Sequence, residues 1–281
     1  LKSKTNSEIK DMSKILAISP ILVGATFLTG GLAQAVTYNQ NITPGVIFGS
    51  GNANGSFTVD QSNGIELGLR GKLRHNASGA PENTFNSNGD GTYSFAAGVA
   101  PTQSFPTAVW SFEWSINSDL TTTDGMGGVL SAYTYLLEID NDASLGTNFF
   151  SFDPINAANP STVGGYWDHS MGDNSTTSAT DLKATDAATY AALINSKNVA
   201  QNSWKAHWYM GAPFDPTVDG TYDIKLSAFS PNGGPAVAST KIQIIVGKGG
   251  SAVPDGGSMV ALLGGSLLGL AGFRRFVTKR A

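Results

Sequence analysis

Cysteine is absent from the 281 residues. That excludes disulfides, thiol nucleophiles and every zinc site built on Cys, so stability has to come from core burial and sheet hydrogen bonding. Charge is scarce too: Asp, Glu, Lys and Arg make up 14% of the chain, against about 25% in an ordinary soluble protein. Histidine occurs three times, at His75, His169 and His207, without the i, i+4 spacing of a helical zinc motif. No Gly-x-Ser-x-Gly elbow, phosphate loop or dinucleotide fingerprint occurs, and no period of 20 to 50 residues marks a solenoid or propeller.

Glycine, serine, threonine and asparagine are abundant instead, the pattern of many short strands joined by polar turns. Across 108–117, Trp110, Phe112, Trp114 and Ile116 alternate with Ser111, Glu113 and Ser115, which puts the four large side chains on one face of a strand. Ile65, Leu67 and Leu69 alternate with Glu66, Gly68 and Arg70 in the same way. Further strands are expected over 56–60, 92–97, 131–140, 203–210, 221–229 and 239–246, the last two forming a hairpin around Pro231-Asn232-Gly233-Gly234. Only 186–196, alanine-rich behind Thr185 or Asp186 as cap, reads as a helix. The economical solution is an all-β protein, an antiparallel β-sandwich of jelly-roll or Ig-like kind with one short helix.

The two ends differ from this domain. Near the start, Lys14, an apolar run from Ile15 to Leu28 and Ala33-Gln34-Ala35 have the layout of a secretory signal cleaved after Ala35, with Met12 as the expected translation start. At the other end, Val253-Pro254-Asp255-Gly256-Gly257 precedes an apolar run from Met259 to Phe273 and the basic residues Arg274, Arg275, Lys279 and Arg280. Fifteen helical residues would rise about 22 Å, short of the roughly 30 Å hydrocarbon core, and the positive-inside rule leaves the domain outside the cytoplasm. This order of parts resembles the VPDSG-type tail, a relative of the PEP-CTERM sorting signals. The resemblance implies recognition and cleavage near Pro254 and Asp255 by an exosortase-like membrane transpeptidase, after passage through the secretion machinery. An ordinary membrane anchor is the competing reading of the tail. Segments 81–86 and 198–204 are similar to stretches of uncharacterised exported proteins that carry such tails, which brings no activity with it. The expected organisation is a signal peptide over 1–35, a sandwich over 36–247, a linker over 248–252 and a sorting or transmembrane signal over 253–281.

Between the signals, residues 36–252 hold nine Lys and Arg against eighteen Asp and Glu, a net charge near −9 that the whole-chain value of −4 conceals. An acidic domain is a poor partner for nucleic acid. Calcium is the one cofactor suggested: Asn86, Asn88 and Asp90 alternate oxygen-bearing side chains before Gly91. Position twelve of such a loop is Ala97, which rules out an EF-hand, and an Asx-rich turn explains the same residues. Asp140 and Asp142 form a second acidic turn, while Glu66, Glu113 and Glu138 are the strand carboxylates a glycoside hydrolase would need. Trp167, Trp204 and Trp208 are candidate sugar-stacking rings, with core packing as the alternative. Together these readings predict a noncatalytic protein of the cell surface, outer membrane or extracellular matrix, structural or adhesive against exopolysaccharide. A carbohydrate-binding module is the runner-up, and a polysaccharide-processing enzyme comes third.

Overall fold

The computed structural model describes residues 36–121, 128–160, 162–211 and 214–251. The cleavage residues Ala33 and Ala35, the sorting motif from Val253 to Gly257 and the basic residues after it lie outside them. Two sheets face each other. The larger contains β1 (Thr37–Gln40), β2 (Phe57–Ser62), β3 (Ile65–His75), β6 (Trp110–Asn117), β10 (Val199–Lys205) and β9 (Ser170–Gly172) in that spatial order, with β4 (Pro81–Thr84) also paired to β3. The smaller runs β5 (Thr92–Phe95), β12 (Ala236–Val246), β11 (Gly220–Phe229), β7 (Thr134–Asp140) and β8 (Phe149–Phe152). All pairs are antiparallel except β5 with β12, which run parallel. The protein is an all-β sandwich, with that one departure from a purely antiparallel arrangement.

Alternation explains the core. Ile65, Leu67 and Leu69 of β3 and Trp110, Phe112, Trp114 and Ile116 of β6 are buried against Tyr93, Leu137, Tyr222, Ile224, Leu226 and Ile244 of the smaller sheet. Burying each such side chain contributes roughly 1.5–3 kcal/mol, an upper estimate because the unfolded chain is already partly compact. Gly71 lies between the sheets where no side chain fits: a Cβ there would stand 2.9 Å from Ile244, Phe95 and Tyr93. The expected hairpin of β11 and β12 forms, with Tyr222 opposite Ile244 and Ile224 opposite Ile242, turning through Gly233 and Gly234 at φ of 79° and 104°.

The polar half of β6 is not exposed: Ser111, Glu113, Ser115 and Asn117 are as buried as their apolar neighbours. Residues 42–55 account for this by lying across the outer face of the larger sheet. Gln201 anchors them at both ends of its amide, accepting from Ile47 N at 2.8 Å and donating to the Gly45 carbonyl at 2.7 Å. Asn117 donates to the Thr43 carbonyl at 3.0 Å, and Ile42 packs with Phe57 and Val59 as a small second core.

The helix α1 (Ala187–Ile194) forms where expected, with Asp186 accepting from Thr189 N at 2.7 Å as its cap and with Tyr190 and Leu193 buried. The strand expected over 203–210 is corrected: β10 ends at Lys205 and the chain turns into α2 (His207–Met210), a second short helix. Among the described residues no helix is long and apolar enough to cross a membrane.

Candidate functional site

On the outer face of β3, opposite Leu69 and Gly71, the same period of two presents Arg70, Lys72 and Arg74. Pairing places Arg70 beside Glu113 and Lys72 beside Ser111 of β6, and these in turn beside Ser203 and Lys205 of β10. Arg70 and Glu113 form an ion pair with no exposure on either side: Nε and Nη2 approach Oε2 at 2.6 and 2.5 Å. Lys72 Nζ reaches the other carboxylate oxygen at 3.1 Å and also bonds Asn52. Arg70 Nη1 donates to the Ala53 and Gly55 carbonyls at 3.0 and 2.6 Å, and its guanidinium lies between the rings of Phe57 and Phe85. Burial pulls all three cations below their usual range, and the one carboxylate of Glu113 opposes that pull in each.

Alongside the 42–55 segment, at Phe48 and Asn52, a cleft of about 470 Å³ opens on this face. That volume falls within the roughly 300–1,000 Å³ common for small-molecule sites. Lys72, Arg74 and His75 line one side, and Asp168, Ser170, Lys183, Asn202, Ser203 and Trp208 complete the walls. Arg74 Nη1 donates to Ser203 O and Oγ at 3.0 and 3.2 Å. Asn202 donates to Asp168 Oδ1 at 3.1 Å. Trp208 is 50% exposed, held out by α2, with Arg74 and Lys205 each 5.9 Å from its ring centre.

Of the three sequence-predicted stacking rings, only Trp208 is open to a ligand. Trp167 and Trp204 are core, a correction with a clear physical cause. Trp167 stacks between Phe152 and His169, at 5.6 and 5.4 Å, and donates from Nε1 to the Ala157 carbonyl at 2.8 Å. Trp204 stays on the inward face of β10, edge-on to Trp114 at 5.2 Å, while the helical turn after Lys205 sends Trp208 away from it. His169 is fully buried between these rings and belongs to the core. Its Nε2–H donates to the Pro154 carbonyl at 2.7 Å and burial lowers it to about 4.

The turn suggested for calcium bonds largely to itself. Asp90 Oδ1 accepts from Thr92 N and Oγ1 at 3.0 and 2.7 Å, Asn88 donates to Thr92 Oγ1 and Ser94 Oγ, and Asn86 donates to the Ser94 carbonyl. The Asp90 contact is an Asx-turn, and the two asparagines brace the same turn through their amide donors. In the second acidic turn, Asp140 Oδ1 accepts from Asp142 N and Asn148 N. Among the described residues no group of three His, Asp or Glu side chains stands ready for a metal. Glu66 is buried and accepts from Thr43 N and Gln61, Glu113 is locked by cations, and Glu138 lies on the other sheet.

The cationic stripe was present in the sequence as Arg70-x-Lys72-x-Arg74, a continuation of the Ile65 alternation. Its partners come from remote segments: Trp208 was among the expected stacking rings, whereas Lys183 and Ser203 carried no local signal.

Residues 252–275 match the family model for the VPDSG-CTERM motif. No curated protein and no solved structure matches the chain. The motif indicates an exported, surface-directed protein whose tail is processed by an exosortase-like enzyme.

Proposed function

We propose that this is a noncatalytic protein of the cell surface or extracellular matrix that adheres to exopolysaccharide, and that the sandwich makes the contact through the cleft beside Trp208. The observation that carries the reading is the cleft itself: a half-exposed indole beside hydrogen-bonding groups, in a chain whose sorting motif directs it outward. Sugar rings present apolar C–H faces and a rim of hydroxyls, and a site for them needs both features. The noncatalytic part of the reading is supported by the engagement of Glu66 and Glu113, each buried and bonded beneath the 42–55 segment.

Co-sedimentation of the full chain with exopolysaccharide from the producing cells tests this. Wild-type and Trp208→Phe protein should sediment with the polymer, and Trp208→Ala should lose about tenfold in affinity, the scale of one good aromatic contact. Equal binding by Trp208→Ala would refute the site, and shortening of the polymer during incubation would refute the noncatalytic assignment.

A further inference from the structure

Resting on the glycan-binding reading, the charges and unpartnered groups of the cleft identify the kind of sugar. Of the nine Lys and Arg in residues 36–252, Lys72, Arg74 and Lys183 line the cleft, Arg70 lies behind it and Lys205 flanks its indole. Asp168 is the one acid in the lining, and it already accepts from Asn202. A single buried carboxylate, Glu113, serves three successive cations of β3. It contacts Arg70 and Lys72, whereas among the described residues no carboxylate lies within 4 Å of Arg74. An excess of cations held out of water is unfavourable unless an anion joins them.

Two lining side chains also carry an unpartnered polar atom. His75 Nδ1 lies 3.1 Å from the Gly79 carbonyl, which can only accept, so Nδ1 donates to it and, in the neutral ring, Nε2 is an acceptor. That Nε2 is buried without a hydrogen-bond partner among the described residues. Ser170 is 1% exposed, and its Oγ is likewise unpartnered. Buried polar atoms rarely stay unsatisfied, and these two line the same cleft as the unneutralised arginine.

We propose that the cleft binds a uronic acid residue of an acidic polysaccharide. Arg74 and Lys183 take the carboxylate, the His75 and Ser170 side chains meet ring hydroxyls, and Trp208 covers an apolar ring face. An acidic protein would otherwise repel such a polymer. Gathering its scarce cations at one cleft confines attraction to that site.

Titration calorimetry on the full chain, with oligogalacturonate, a neutral oligogalactoside of equal length and dextran sulfate as probes, tests the inference. Oligogalacturonate should bind, weaken with added NaCl, and lose about tenfold on Arg74→Ala and on Lys183→Ala, the latter at an exposed position that leaves folding intact. Equal binding of the neutral oligomer would overturn the uronate assignment and leave the glycan-binding reading standing. Equal or tighter binding of dextran sulfate, indifferent to either variant, would reduce the site to a nonspecific polyanion patch and overturn it as well. Binding of none of the three probes by folded protein would overturn the inference too, and polymer co-sedimentation then decides separately whether the glycan-binding reading survives.

Discussion

Glu113 and Arg74 stand in opposite positions although they share one face of the sheet. Glu113 neutralises two buried cations, so Glu113→Gln leaves Arg70 and Lys72 uncompensated and should destabilise the fold by about 3–5 kcal/mol. Arg74 has no acid of its own, and Arg74→Ala should cost far less, a contrast that urea unfolding of the two variants reads directly. His169 makes a second residue-scale prediction. Burial holds it at about 4 in the folded protein against 6.5 for the free side chain, so between these values the unfolded chain takes up a proton that the native state refuses. Stability from this group is therefore complete above pH 6.5 and falls by about 3 kcal/mol as pH drops towards 4. Asp173, lowered to about 2 chiefly by its hydrogen bond from Ser175, loses its contribution in a separate window below 3.8. Urea midpoints measured from pH 7 to 4 should show the His169 slope in the wild type and its absence in His169→Gln. A flat wild-type profile would contradict the buried neutral imidazole.

At the scale of elements, strands long enough for period two to repeat were legible apart from β10, expected over 203–210 and found at Val199–Lys205, as were the final hairpin and the capped helix. Of the five strands that span four residues or fewer, β5 was expected within 92–97, whereas β1, β4, β8 and β9 are too short for alternation to show. Trp204 and Trp208 misled because a spacing of four satisfies one strand face and nearly one helical turn alike. The burial of the polar side of β6 was not legible, since nothing local announces that 42–55 will fold back over it. Gly68 was an available hint: a glycine inside a strand marks close approach of another element, and a Cβ there would stand 2.8 Å from Ile42. Gly71→Ala should lower stability by roughly 1–3 kcal/mol through overpacking against Ile244, Phe95 and Tyr93. Thermal unfolding unchanged by that substitution would mean the sheets are farther apart than described here.

For the whole molecule, the sorting motif was fully legible because it is local in sequence, matched over 252–275. The cleft was not, because it is assembled from five segments between Phe48 and Trp208 that only the sandwich brings together. Peptide mapping of protein recovered from medium and from membranes should find a mature N-terminus at Val36 and a C-terminus near Pro254 or Asp255. An uncut chain ending at Ala281 in the membrane would make the tail an anchor instead. In the proposed function, the cleft beside Trp208 holds polysaccharide. Hydroxyl-radical footprinting with and without exopolysaccharide addresses it most directly, since Trp208, Tyr38 and Phe105 are all exposed in the free protein and only the first lines the cleft. Protection of Trp208 with unchanged oxidation of Tyr38 and Phe105 is the predicted result, and an unprotected Trp208 on polymer-bound protein would contradict the claim.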